Sequence, residues 1–163
     1  MHQMGHYGCA LLAYTPLGTI VALGGYGDIA IVGGLVCVAL STLPDYDHRV
    51  PLISHRGPTH SIPFALLVGV GLAAVTAFLV DSSSAFTGAS VVAFAFLVGV
   101  ISIGSHLLAD ALTPMGISPF WPFSSRRYSL EVTTAANPIA NYGLFGLGVG
   151  AVLFGISIIV ALG

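Results

Sequence analysis

Five long apolar stretches, separated by short polar connections, dominate the sequence. They run approximately over Tyr7–Leu23, Ile29–Leu43, Ile62–Val80, Ser90–Leu112 and Ile139–Leu162. A helix that crosses the hydrocarbon core of a bilayer, about 30 Å thick, needs about 20 residues. The last three stretches reach that length, whereas the first two are short and Pro16 interrupts the first. The pattern predicts an all-α transmembrane bundle of about five helices, in which the first two are short tilted helices or a re-entrant hairpin.

The bundle is expected to form a single domain, because no linker or internal repeat divides residues 1–163. Glycines recur along the last stretch, for example Gly143, Gly146 and Gly150. Small residues allow helices to approach one another closely in lipid. We therefore predict that these glycines lie at a helix–helix contact.

Composition excludes a water-soluble globular domain. Hydrophobic residues make up 56% of the chain, charged residues make up 6%, and lysine is absent. Soluble domains carry about 25% charged residues, so this chain lacks the polar side chains to cover a surface in water. The net charge of −2 also provides no basic surface for nucleic acid. The expected partners are membrane lipid and a small-molecule or lipid-like ligand, with no direct nucleic-acid binding.

The arginines indicate how the chain is oriented in the membrane. If each stretch crosses once, all four fall on the side that holds the N-terminus: Arg49, Arg56, Arg126 and Arg127. Cytoplasmic loops of membrane proteins carry an excess of Lys and Arg. We therefore predict a multi-pass protein of the inner (plasma) membrane with a cytoplasmic N-terminus and an external C-terminus.

All six histidines lie near this same side of the membrane, together with most carboxylates. His106 and Asp110 are four residues apart on the fourth stretch, so their side chains project from one helix face. This geometry suits two ligands of one metal ion, or an aspartate that bridges two ions. The alternative is a His–Asp hydrogen bond that only stabilises the bundle.

Three further polar features fall on the same face. They are residues 43–48 (Leu-Pro-Asp-Tyr-Asp-His), residues 55–61 (His-Arg-Gly-Pro-Thr-His-Ser) and His6 at the head of the first stretch. An ordinary solvated turn, a His-rich surface loop and an interfacial histidine are the alternatives. However, clustered carboxylates without a cation would repel one another and take up protons. Imidazole nitrogen and carboxylate oxygen together are the ligands of zinc and related divalent metals.

The order of these motifs resembles the YdjM family of inner-membrane, metal-dependent hydrolases. The resemblance is carried by residues 43–48, residues 55–61, residues 106–116 (His-Leu-Leu-Ala-Asp-Ala-Leu-Thr-Pro-Met-Gly), Trp121-Pro122-Phe123 and Arg127-Tyr128-Ser129. More remotely, the ligand order is similar to that of zinc-dependent phospholipase C and P1 nuclease. In those enzymes a second helix carries a His-x-x-x-Glu pair, where this chain has Asn137 and Asn141. Because amides are poor zinc ligands, a third metal is not expected.

Together, the residues and the resemblance predict a membrane-bound hydrolase with one or two divalent metal ions, with zinc as the expected metal. The predicted metal ligands are His6, Asp45, His60, His106 and Asp110, with Asp110 as the bridging candidate. Bound metal would lower the pKa of a water molecule towards neutrality. Asp47 or His55 would accept a proton or orient that water, and Arg56 would stabilise a developing oxyanion, which suits a phosphate ester.

Two other classes of function remain open. A transporter could use the His/Asp cluster as a metal or proton site, although transporters place such sites near the midplane, between paired repeats. A non-catalytic membrane scaffold could bind a structural metal there. Beside the cluster, residues 119–123 (Pro-Phe-Trp-Pro-Phe) form either an entry loop for an amphiphilic substrate or an interfacial anchor.

Overall fold

The structure, a computed structural model, describes residues 1–49, 57–80 and 85–163. Within these ranges the chain forms five α-helices and no β-strand longer than a single bridge. The helices are α1 (Gln3–Leu23), α2 (Gly27–Leu40), α3 (Ile62–Leu79), α4 (Ala85–Ala111) and α5 (Pro138–Leu162). Two short 3₁₀ segments, Leu43–Arg49 and Pro58–His60, lie between α2 and α3. The predicted all-α architecture is confirmed.

All five helices, with α2 extended by its 3₁₀ segment, are long and apolar enough to cross a membrane. Helix α1 starts at Gln3, earlier than the sequence pattern indicated, and its 21 residues continue through Pro16 without a break. The Thr15 hydroxyl donates a hydrogen bond to the Leu11 carbonyl at 2.7 Å in this turn. The second span, Gly27–Asp47, also has 21 residues, so the first two spans are not short.

Helix α1 packs against α2, α4 and α5, while α3 packs mainly on α4. The α1–α5 contact is very close, because Gly8 lies directly on the backbone of Leu144 and Gly148 lies on the backbone of Gly8. A Cβ atom at Gly8 or Gly148 would overlap the facing main chain. The prediction that Gly143, Gly146 and Gly150 make such a contact is wrong, since no described neighbour lies within 4 Å of a Cβ built at any of the three.

Successive spans run in opposite directions, which brings one end of four helices together. The start of α1, the end of α2, the 3₁₀ segment before α3 and the end of α4 meet there, at His6, Ser41, His60 and His106. The predicted gathering of histidines at one end of the bundle is therefore present. Asp28, in the first turn of α2, lies at the opposite end.

The connection from α4 to α5 covers the same end of the bundle. Ile117 and Tyr128 form an antiparallel bridge, with backbone N–O distances of 3.0 and 2.9 Å. The Ile62 amide, at the start of α3, donates to the Pro119 carbonyl at 2.9 Å. The tip of this loop is exposed, with Phe123 at 89%. A large aromatic surface therefore lies beside the histidine-rich end.

The orientation in the membrane can be tested by labelling single cysteines from outside the cell. We expect a membrane-impermeant maleimide to label Tyr26→Cys in intact cells, and to label Ser125→Cys only after the cells are permeabilised. The two positions are exposed at opposite ends of the bundle. The unmodified chain is the control, because its Cys9 and Cys37 are buried. Labelling of Ser125→Cys in intact cells would contradict the arginine-based orientation.

Candidate metal centre

The five residues predicted as metal ligands lie together in the structure. Helix α1 supplies His6, α4 supplies His106 and Asp110, and the segment between α2 and α3 supplies Asp45 and His60. Ligand atoms of His6, Asp45, His106 and Asp110 all lie within 4.8 Å of one another. Four of the five side chains are at most 1% exposed, whereas that of Asp45 is 32% exposed. The cluster is therefore buried, with Asp45 on the side that water can reach.

The distances within the cluster fit ligands that share a metal ion. The Nε2 atoms of His60 and His106 are 3.1 Å apart. Each of them also lies 3.4–3.6 Å from a carboxylate oxygen of Asp45 or Asp110. Two ligand atoms about 2.0–2.1 Å from a tetrahedral ion are separated by about 3.3 Å. The spacing is therefore that expected of atoms that converge on one cation.

A backbone contact determines the tautomer of His106. Its Nδ1 lies 2.7 Å from the carbonyl oxygen of Ser41, at the end of α2. Because a carbonyl oxygen can only accept, Nδ1 must carry the proton and donate it. The lone pair is then on Nε2, the nitrogen that faces the cluster. Metal-binding histidines are oriented by this kind of contact to the other ring nitrogen.

His60 is oriented in a similar way by Thr59 and Asp47. The Thr59 hydroxyl donates to Asp47 Oδ2 at 2.8 Å, and its oxygen lies 3.0 Å from His60 Nδ1. Asp47 Oδ2 is itself 3.5 Å from His60 Nδ1. Since the Thr59 proton points at the carboxylate, the Thr59 oxygen accepts from Nδ1–H of His60. His60 therefore also presents an Nε2 lone pair to the cluster.

The surroundings of His60 act on its pKa in opposite directions. Burial disfavours the imidazolium, but hydrogen bonds to Asp110 and Asp45, and the charges of Asp110 and Asp47, outweigh burial and raise the pKa of His60. The site therefore attracts positive charge. A divalent cation in the cluster would supply that positive charge and could bind to the Nε2 lone pair of neutral His60.

His6 lies flat against His106, with ring centroids 3.9 Å apart and an interplanar angle of 8°. Its Nε2 is 3.6 Å from Asp110 Oδ1 and 3.8 Å from Asp45 Oδ2. Its buried Nδ1 has no hydrogen-bond partner among the described residues. The Met1 carbonyl oxygen, 3.0 Å from His6 Nε2, accepts a hydrogen bond from that nitrogen. The stacked ring brings a third imidazole to the two carboxylates, and its Nε2 would bind a metal only after giving up the proton that it shares with Met1.

Sequence inspection missed three residues that hold this cluster: Met1, Ser41 and Thr59. The Met1 amine contacts Asp110 Oδ1, and the Met1 carbonyl oxygen lies 3.0 Å from His6 Nε2. Thr59 could have been noticed as the neighbour of His60. The Met1 and Ser41 contacts use main-chain atoms, so residue type gave no signal for them.

Of the three residues predicted to be catalytic, the structure describes only Asp47. Asp47 is 3% exposed and lies behind His60, on the ring edge away from the cluster. His55 and Arg56 fall outside the described residues. The structure therefore places Asp47 where it can orient a ligand, and it does not bear on the two other residues.

The side chains of Asn137 and Asn141 form hydrogen bonds with backbone groups. Asn137 Oδ1 accepts from the amides of Ile139 and Ala140 at the start of α5. Asn141 donates to two carbonyl oxygens, and its Oδ1 accepts from the amide of His2 at 3.0 Å. The two amides thus cap α5 and fix the N-terminal segment next to the cluster.

The fold and the site define a polytopic membrane protein with a buried His/Asp cluster that could hold a metal ion at one end of its helical bundle. The chain belongs to the YdjM inner membrane protein family, whose model matches residues 1–162. No curated protein and no solved structure matches it significantly.

Asp110→Asn tests the role of the cluster in metal binding. We expect the variant to insert and fold but to lose its bound metal, because an amide is a much weaker zinc ligand than a carboxylate. Changes to residues that only orient a ligand already cost about 10- to 100-fold in affinity, and losing a ligand should cost more. Elemental analysis of the purified protein gives the metal content. The matched control is Asp28→Asn, which removes an exposed carboxylate at the other end and should leave the metal content unchanged.

Proposed function

We propose that this protein is a membrane-bound metal-dependent hydrolase that acts at the cytoplasmic face on phosphate esters or lipid-like substrates. One observation carries the proposal: the buried carboxylate of Asp110, the partly exposed carboxylate of Asp45 and three buried imidazoles converge, with the Nε2 lone pairs of His60 and His106 directed into the cluster. The YdjM resemblance supports the same class of function. Zinc is the metal that this donor set suits best, as one or two ions.

When bound, such a metal would supply a hydroxide-forming water and polarise the bond to be cleaved. His6, Asp45, His60, His106 and Asp110 would hold it. Asp45 is the most exposed of the five, so we propose that substrate approaches along its side of the cluster. Asp47, through Thr59, would keep the His60 ring in place, while His55 and Arg56 remain the candidates for proton transfer and for binding a phosphate.

The position of the cluster favours a surface enzyme over a transporter. Transport requires a path through the bundle, and such a path is usually built around a binding site at the midplane. Here a buried apolar group of side chains from α1, α2 and α4 lies towards the far end: Ala10, Tyr14, Cys37 and Val98. This layer separates the polar cluster from the opposite face.

The proposal is tested by measuring metal content and hydrolysis on the same purified sample. We expect the metal-loaded protein to cleave a generic phosphodiester, bis(p-nitrophenyl) phosphate, and to lose this activity in a chelator. Asp110→Asn should be inactive, and Asp28→Asn should retain the activity. A protein that binds metal stoichiometrically and cleaves neither this phosphodiester nor p-nitrophenyl acetate would instead be a scaffold with a structural metal.

The loop that contains Trp121 supplies a separate prediction about the substrate. Phe120, Trp121 and Phe123 are exposed beside the cluster, and the Arg126 guanidinium lies 5.3 Å from the Tyr128 ring. Aromatic rings favour the bilayer interface, and arginine can reach lipid phosphates. If the loop admits substrate, Trp121→Ala should slow hydrolysis of a phospholipid and spare bis(p-nitrophenyl) phosphate.

The matched control is Phe78→Ala, which removes a ring that is 90% exposed near the other end of the bundle. It should leave the ratio of the two activities unchanged. Equal losses on both substrates in Trp121→Ala, at equal amounts of folded protein, would show that the loop is only an interfacial anchor.

A further inference from the structure

A second feature lies at the end of the bundle opposite the metal centre. A cavity of about 280 Å³ opens between α2 and α3, with α4 as its floor. We call it the lateral groove. Its lining includes Ile29, Val32 and Val36 of α2, Leu72 and Thr76 of α3, and Phe94 of α4. Because these helices are membrane spans, the groove lies within the hydrocarbon region and is lined almost entirely by apolar side chains.

The groove exists because α2 and α3 both pack on α4 and make few contacts with each other. Gly33 contributes to its shape, since a Cβ atom at this position would overlap the ring of Phe94. The ring can therefore lie against the backbone of α2 and form the floor. The opening is thus built into the packing of these three helices.

The groove is separate from the metal centre. Val98, at its inner end, precedes His106 by eight residues, which corresponds to about 12 Å of helix. Val98 also belongs to the buried layer with Tyr14 and Cys37 that closes the bundle between the two sites. The groove therefore does not provide a route by which a substrate tail reaches the centre.

The length of the groove matches one leaflet of the bilayer. From Asp28 to Val36 it follows eight residues of α2, about 12 Å. Half of a 30 Å hydrocarbon core is about 15 Å. A lipid of the leaflet on this side could thus lay one acyl chain along the groove from the membrane surface inwards.

Asp28 places a negative charge at the mouth of the groove. Among the described residues that line the groove, Asp28 is the only charged one, and its side chain is exposed in the first turn of α2. A carboxylate at this position would attract a cationic amine headgroup and repel an anionic one. Charge and length thus point to the same kind of ligand.

We propose that the lateral groove binds one acyl chain of a phospholipid from the leaflet opposite the metal centre, with the amine of its headgroup next to Asp28. The occupant is a zwitterionic lipid such as phosphatidylethanolamine. This site requires neither a metal nor hydrolysis, so it stands or falls independently of the proposed function.

The test compares two tryptophan variants of neighbouring residues on α3. Thr76 faces the groove, whereas Val75 is exposed and does not line it. The full-length protein is purified from membranes, and its retained lipid is identified and counted by native mass spectrometry. We expect phosphatidylethanolamine on the unmodified chain and on Val75→Trp, and its loss from Thr76→Trp. Val32→Trp fills the groove from α2 and should lose the lipid in the same way, which guards against a folding defect of one variant.

Asp28→Asn tests the headgroup. The thermal unfolding temperature is followed as phosphatidylethanolamine or phosphatidylglycerol is added, which gives the relative affinity for the two lipids. We expect the preference for the amine lipid to fall about two- to five-fold, the range for an exposed ion pair. Metal content should be unchanged in all of these variants. Equal lipid retention by Thr76→Trp, Val32→Trp and Val75→Trp, or no preference for the amine lipid in the unmodified chain, would overturn the proposal.

Discussion

The mutual repulsion of two neighbouring carboxylates, one buried and one partly exposed, is the constraint around which one end of this protein is built. Asp45 and Asp110 share a cluster in which most side chains are excluded from water, and uncompensated charge in such surroundings is very costly. Several neighbouring groups offset that cost. The Met1 amine contacts Asp110, and the imidazoles of His6, His60 and His106 surround both carboxylates. A cation among them would complete the compensation.

The packing of the helices brings the groups that surround the two carboxylates together from distant parts of the chain. The backbone carbonyl of Ser41, just after α2, accepts a hydrogen bond from Nδ1–H of His106, which is 65 residues further along the chain. Thr59 links Asp47 to His60 just before α3 begins. These contacts fix ring orientation as well as position. A site held this way is preorganised, because its nitrogen lone pairs point inwards before any ligand arrives.

The two ends of the bundle have different chemistry, separated by an apolar layer. At one end polar side chains are buried together and covered by the loop between α4 and α5. At the other end α2 and α3 diverge and leave an apolar groove that opens to lipid, with Asp28 at its mouth. Tyr14 and Cys37 belong to the layer in between. The chain therefore offers separate surfaces to a polar ligand and to the bilayer.

The sequence by itself determined the class of protein and predicted which histidines and aspartates lie together, but it gave no indication of the contacts from Met1 and Ser41 that hold them. The length and hydropathy of the last three stretches predicted membrane spans, while the first two were left open as short helices or a re-entrant hairpin, and the one-sided distribution of histidines and aspartates follows from the direction of each crossing. The i, i+4 spacing of His106 and Asp110 places both side chains on one helix face, so helix geometry alone was enough to predict that these two residues lie together. The family resemblance added the order of the remaining motifs.

Only the tertiary structure decided the rest, because it depends on contacts between residues far apart in the chain. Pairing of α1 with α5 places Gly8 and Gly148 at the close contact and leaves Gly146 exposed, although the sequence pattern is the same for both glycines of α5. The orientation of His106 depends on a main-chain carbonyl, which carries no residue-type signal. The lateral groove arises where two helices fail to meet, and the sequence of a single helix does not encode its distance from another.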